Sequence, residues 1–275
     1  ETINSYFKKN LSPIEAEKFI NKKTKKFKNY KFKNFENKAI SQIGKELYQA
    51  FIKGYTQKQW GKSPRYLPES IFNRLPIRFS YNEDYYPQTQ YQGIPKKGYT
   101  EIFQNLLKNK NIKIKFNEAY NLNYKVKPKY LTIYTGPLDS LLKYKFGRLE
   151  WRSLLFKKQI KKIKDHQGSS VINYPDLKDK FTRIHEPKHL HPERKSFHSK
   201  STLIIKEYSL KNDKEPYYPI NDEKNRTKHR KYKIEVSKIK KFDFGGRLAD
   251  YAYYDMDMTI SAALKKFELI KKKIR

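Results

Sequence analysis

The sequence predicts a mixed α and β protein in which helices come first, an antiparallel sheet follows and a helix closes the chain. Three observations carry that expectation. Apolar residues recur every fourth position between 35 and 51, the period of a helix with one buried stripe. Short β-branched and aromatic segments separated by polar turns fill 130–209, as in an antiparallel sheet. Met258, Ala262, Leu264, Phe267 and Ile270 then return to helical spacing. With 275 residues the chain can form one large domain or two modest ones.

Taken in order, Ser12, Pro13 and Glu15 form a helix start: a side-chain cap, a proline at the first helical position and a glutamate reaching back. Phe35, Ala39, Ile43, Leu47 and Phe51, with Ile40 and Tyr48 beside them, predict a helix over about 35–51 that ends near Gly54. Between these helices, 22–35 (KKTKKFKNYKFKNF) interleaves lysines with aromatics. That pattern can clamp a single nucleic-acid strand, although a solvated surface is the commoner origin. Residues 55–99 are rich in Tyr, Pro, Gln and Asn without a period and read as loops of the kind that bind ligands. After Thr100 as N-cap, EIFQNLLKN predicts a short helix leading into a strand, IKIKF, at 112–116. The sheet segments are YLTIYTG (130–136), WRSLLF (151–156), SSVINY (169–174), FTRIHE (181–186) and STLIIKEYS (201–209). A basic helix over 221–240, a short strand in FDFGG and the closing helix complete the chain.

Net charge is +34, which suggests an anionic partner. Lysine far outnumbers arginine while Asn, Ile, Tyr and Phe abound, the composition that adenine- and thymine-rich codons impose on any protein, so the field alone specifies no nucleic acid. There is no cysteine, which excludes disulfides, thiolate metal sites and a cysteine nucleophile and is compatible with a cytoplasmic setting. No apolar run approaches the roughly 20 residues of a membrane helix. The sequence opens on Glu1 without an initiator Met, as a fragment would.

His185, Glu186 and His189 spell H-E-x-x-H, with His191 nearby. The zinc-binding spacing works only on a helix, and Pro187 together with the strand-like FTRIHE argues against one. No G-x-G-x-x-G follows a strand and no nucleophile elbow is present. What stands out is a set of Arg and Tyr residues in the least regular text: Tyr55, Arg74, Tyr85, Arg183, Tyr217, Tyr218, Arg247 and Tyr253. Planar guanidinium forks and phenol donors suit a diphosphate and the face of a base, while any one of them taken alone is more often structural.

FIKGYTQKQWG (51–61), RLPIRFSYNEDYY (74–86), YQGIPKKGYT (91–100), YTGPLDSLL, LEWRSLLF, QGSSVINYPD, FTRIHEPKHLHPE, EPYYPIN and FGGRLADYAYYDMDM occur in this order. Together they resemble the prokaryotic UDP-galactopyranose mutases over about 34–270. The resemblance implies an FAD enzyme that interconverts UDP-galactopyranose and UDP-galactofuranose without net redox change. Reduced flavin N5 attacks the anomeric carbon, UDP leaves, and the sugar opens, recloses as a five-membered ring and recaptures UDP.

Carried over by motif, Arg74 and Arg183 match two arginines that grip the diphosphate. Tyr85, Tyr217 and Tyr253 match phosphate-contacting tyrosines, with Tyr218 the less certain of its pair. Phe51, Tyr55 and Thr56 match the uridine end, Trp60 the lid tryptophan and Asn173 a further substrate contact. Arg247, Tyr253, Asp255 and Met256 match the flavin-contacting segment, in which Tyr254 replaces a leucine. The family's N-terminal Gly-rich strand–turn–helix has no counterpart here, so the expected architecture is an incomplete Rossmann-like FAD-binding domain with an inserted helical domain and an antiparallel substrate domain. The expected boundaries are a helical domain at 1–90 with a mobile lid near 55–66, a returning FAD-domain segment at 91–140, the substrate domain at 141–220 and the rest of the FAD domain at 221–275. An inactive, truncated UDP-binding remnant is the alternative reading. The resemblance allows a homodimer, for which no sequence feature supplies an interface, and implies neither a specific nucleic acid nor membrane insertion.

Overall fold

The computed structural model describes residues 1–27, 32–74, 77–82, 84, 86–211 and 215–274, with the side chains of 74, 273 and 274 outside that description. In chain order the elements are α1 (Thr2–Phe7), α2 (Pro13–Thr24), α3 (Phe35–Leu47), α4 (Gly54–Trp60), α5 (Tyr99–Leu106), β1 (Thr132–Tyr134), α6 (Leu138–Leu141), β2 (Trp151–Lys161), β3 (Val171–Asn173), β4 (Arg183–His185), β5 (Thr202–Lys211), β6 (Tyr218–Pro219), α7 (Glu223–Ser237), β7 (Phe242–Phe244) and α8 (Met256–Ile274). They fall into two compact units, one of residues 1–113 and 155–209, the other of 114–154 and 210–275. The mixture of helices with an antiparallel sheet is the one expected.

In the first unit, α2 begins as the sequence requires. Ser12 N donates to the Glu15 carboxylate at 2.8 Å while Glu15 N donates back to Ser12 Oγ. Asn34 caps α3 by accepting from Asn37 N at 2.9 Å. The predicted 35–51 helix is interrupted twice. Gly44 sits at φ +82°, a value only glycine adopts readily, and Tyr48–Lys53 wind into a wider π turn. That wider turn rotates Phe51 off the stripe: Phe35, Ala39, Leu47 and Tyr48 are buried, whereas Phe51 is exposed. The chain also runs on as α4 where the sequence predicts loop, so the helix signal does not stop at Gly54. Phe35, Ala39, Tyr48, Leu67 and Phe72 form this unit's helical core, with Trp60 packed against it. The sheet places β4 between β3 and β5, antiparallel to both, with β2 beyond β5.

The second unit packs Leu138, Leu141, Leu149, Trp151, Tyr232, Val236, Ala249 and Tyr251 into one core. The start of β2 pairs antiparallel with β6, and β1 pairs parallel with β7. Two expectations fail. IKIKF forms no strand, and its Ile112, Ile114 and Phe116 are exposed, because alternation alone does not supply a neighbour to pair with. The short helix is present as α5 but starts from Gly98 rather than Thr100, and none of its residues is buried. Among the described residues no helix is long and apolar enough to cross a membrane.

Candidate functional site

β4 and its neighbours bring one group of side chains together by register. Arg183 lies directly opposite Asn173 on β3 and Glu207 on β5, so the three share a face of the sheet. Glu207 is buried, and its carboxylate is 3.5 Å from Arg183 Nε and 2.8 Å from His185 Nε2, the next residue on the same face. From the other side, Arg183 donates to the phenol oxygen of Tyr55 on α4, and its guanidinium carbon lies 5.7 Å from that ring's centroid. The guanidinium is therefore oriented at both ends before any ligand arrives. Thr56 is buried beside Tyr55, while Asn173 is exposed at the sheet's edge.

α4 is seated on the segment between β3 and β4. Lys58 donates to four main-chain carbonyls of that segment, and Ser209 Oγ on β5 donates to Gln59 O at 2.6 Å.

A second group stands in the other unit. Arg247 donates to Tyr254 O at 2.9 Å and to Tyr217 O, with its guanidinium carbon 5.0 Å from the Tyr253 ring and 5.6 Å from the Tyr218 ring. Those two rings stack, 5.1 Å apart and 16° from parallel. The turn feeding this group is held by strain that its surroundings offset. Tyr251 adopts φ +51° while its buried phenol donates to Glu150 O at 2.6 Å and its ring meets Trp151 edge-on at 4.9 Å. Burial raises the pKa of the Tyr254 phenol, reinforced by Asp250 beside it.

The family described as GLF, UDP-galactopyranose mutase, matches residues 50–253. The chain belongs to the UDP-galactopyranose mutase family. It is 37% identical over 275 residues to a dTDP-fucopyranose mutase of Escherichia coli, covering 98% of this chain and 72% of that protein. To a probable UDP-galactopyranose mutase of Klebsiella pneumoniae it is 40% identical over 267 residues, covering 96% of this chain and 67% of that one. A solved crystal structure of reduced UDP-galactopyranose mutase shares the fold, with a TM-score of 0.61 at 14% identity over 86% of this chain and 68% of that chain.

Of the residues that UDP-galactopyranose mutase motifs single out, the structure gathers Tyr55, Thr56, Asn173 and Arg183 in one unit and Tyr217, Arg247 and Tyr253 in the other. Asp255 precedes α8, where its carbonyl accepts from Thr259 Oγ1 at 2.9 Å, and Met256 is exposed at that helix's first position. Phe51 meets Tyr6 edge-on at 5.5 Å. Trp60 packs on the helical core. Arg74 ends a 3-10 turn, Glu69–Arg74; its side chain and all of Tyr85 lie outside the described residues. Within the tyrosine pair, Tyr218 brings its ring to Tyr253 and Arg247, while Tyr217 contributes its carbonyl.

Sequence reading did not find Glu207 or Lys58. Glu207 becomes visible only once β4 and β5 are in register, and Lys58 is one lysine among many. The H-E-x-x-H stretch is a strand followed by a 3-10 turn, Pro187–Leu190, as Pro187 requires. Its two imidazoles accordingly meet different carboxylates: His185 meets Glu207, and His189 lies 3.2 Å from Asp165 and 3.6 Å from the buried Glu186.

Proposed function

We propose that this chain interconverts UDP-galactopyranose and UDP-galactofuranose with reduced FAD as cofactor. The observation that carries the reading is Arg183, fixed by Glu207 and Tyr55 on the sheet face that also holds Asn173. Ring contraction without net redox change needs the anomeric C–O bond to break and form again. The departing diphosphate must therefore stay bound while the sugar rearranges. A planar fork fixed beforehand can hold it through charge-assisted hydrogen bonds without ordering at the moment of reaction.

In this reading Arg183 and Arg74 grip the diphosphate, and Tyr85, Tyr217 and Tyr253 add neutral donors. Phe51, Tyr55, Thr56 and Trp60 serve the uridine end. Arg247, Tyr253, Asp255 and Met256 would hold FAD, whose reduced N5 supplies the nucleophile when it is bound. A stacked phenol pair beside a guanidinium anchored on main-chain carbonyls suits a flat, diphosphate-bearing cofactor in kind. A reducing cytoplasm fits both a cofactor needed in reduced form and a chain without cysteine.

The likeness to a dTDP-fucopyranose mutase favours a second reading, the same ring contraction on a thymidine-diphosphate sugar. One assay separates the two. The chain is incubated with FAD and dithionite, and either UDP-galactofuranose or dTDP-fucopyranose is supplied and followed by chromatography. Formation of UDP-galactopyranose is expected. Conversion of the thymidine sugar alone turns the assignment to the second reading, and conversion of neither by a folded sample sinks both. Flavin absorbance after excess FAD is removed adds a test of the cofactor residues: Arg247→Ala should lower retention roughly tenfold.

A further inference from the structure

α4 approaches the segment joining β3 to β4 more closely than a side chain would allow. A Cβ on Gly54 would lie 2.2 Å from the Pro175 carbonyl oxygen. One turn further on, the Lys58 ammonium donates to Tyr174 O at 2.6 Å, Asp176 O at 2.8 Å, Asp179 O at 3.0 Å and Phe181 O at 2.8 Å. The segment from 175 to 182 belongs to no helix or strand, and a single main-chain bond, Tyr174 N to Thr182 O at 2.9 Å, spans its base. An ammonium carries three protons on a compact centre, so the four converging oxygens share them, one proton lying between two oxygens, in an arrangement that a planar guanidinium fork does not reproduce. Burial lowers the Lys58 pKa, with Asp179 and Asp176 opposing that shift.

We propose that Lys58 is a positioning residue: its ammonium gathers the carbonyls of the β3–β4 connection and so holds Asn173 and Arg183, at the two ends of that connection, side by side. The loop's own lysines do not take that place: Lys178 is exposed with its ammonium 3.8 Å from the Asp176 carboxylate, and Lys180 is exposed as well. Without the ammonium, four oxygens would point at one another or at water. The link from Lys58 to ligand rests on the reading of Arg183 as a diphosphate anchor, and the experiment separates the two.

The absence of cysteine makes a chemical test available. Lys58→Cys introduces the only thiol; 2-bromoethylamine rebuilds an ammonium of lysine's length on it, and iodoacetamide leaves a neutral amide of similar size. Amide hydrogen exchange over 174–183 and UDP affinity by calorimetry are read on the parent, the variant and both alkylated forms. In Lys58→Cys, exchange over 174–183 should quicken and UDP affinity should fall, each roughly tenfold. Aminoethylation should restore both and carbamidomethylation neither. Parent-like exchange in the unmodified variant, or equal recovery with the neutral group, overturns the inference. A parent chain that does not bind UDP would remove the ligand reading, while the exchange data would still decide whether Lys58 orders the connection. Should Lys58→Cys not fold, Lys58→Arg keeps the charge. Its expected signature is a folded chain with faster exchange over 174–183, and parent-like exchange there counts against the inference.

Discussion

An ion pair at one end and a hydrogen bond at the other place the Arg183 guanidinium. Glu207 lies against Nε and Tyr55 receives a proton from a terminal nitrogen, so orientation is fixed by one buried carboxylate and one phenol. Arg183→Ala should weaken UDP binding roughly 100-fold, and Arg183→Lys should recover only part of that loss, since a point charge lacks the fork. Tyr55→Phe, which removes an acceptor but not the ring, should cost only a few-fold; calorimetry with UDP measures all three. His229 gives a residue-level prediction of a different kind. It is buried on α7 with Nε2 donating to Ala249 O at 2.8 Å, and burial lowers its pKa against the opposing effect of that hydrogen bond. With the folded-state pKa below the unfolded value of about 6.5, the unfolded chain takes up a proton that the folded chain refuses. The stabilising difference is present above about pH 6.5 and is lost as pH falls toward the folded-state value. Thermal melts should therefore show the midpoint dropping a few degrees between pH 7 and pH 5. His229→Gln, whose amide can still donate to Ala249 O, should flatten that slope.

Between residues and units, the packing of α4 on the β3–β4 connection decides whether the site holds its geometry. Gly54 is helical in backbone, so its requirement is one of space: alanine would place a methyl 2.2 Å from a main-chain oxygen, and either α4 or the connection would have to move. Gly54→Ala should lower stability by about 1–3 kcal/mol in denaturant unfolding and also weaken UDP binding, because the shift passes directly to Tyr55 and Arg183. An alanine that lowered stability and left UDP affinity untouched would separate the fold from the site. The same elements show what could be read in advance. The capping box at Ser12 is local chemistry and appears as written. The strands from Trp151 onward follow their β-branched text. Phe51 leaves the predicted stripe because a π turn changes the helical period without an obvious residue signal, and Glu207 is not legible in the sequence because cross-strand register is a tertiary property. Arg183 and Asn173 could be named by motif, yet their adjacency comes from the pairing of β3 with β4.

Across the chain, apolar side chains that sequence patterning would assign to a core lie at the surface. α8 is the clearest case. Its packed side carries Lys266, whose ammonium meets Asp243 of β7 at 2.9 Å, and Ile270, which is buried. Ile260, Leu264 and Phe267, spaced four and three residues apart, form a stripe that is more than half exposed at each position. The helical spacing holds, but most of the apolar stripe lies on the outer face, because a periodic stripe specifies that a face is apolar and not which neighbour covers it. α5 repeats the pattern, with Ile102, Phe103 and Leu106 exposed. Continuous exposed apolar surface of this kind drives self-association in water. The high net charge of +34 opposes it through repulsion that salt screens, so the balance should depend on ionic strength. The purified chain should stay dispersed at low salt and associate as salt rises, and Phe267→Lys together with Leu264→Lys should move that onset to higher salt. Because neither residue belongs to a core cluster, the double variant should melt within about 0.5 kcal/mol of the parent. Sedimentation velocity across a salt series is the deciding measurement. Association that is unaffected by the two lysines would place the sticky surface on α5, whereas association that falls with added salt would assign it to charge rather than to apolar contact.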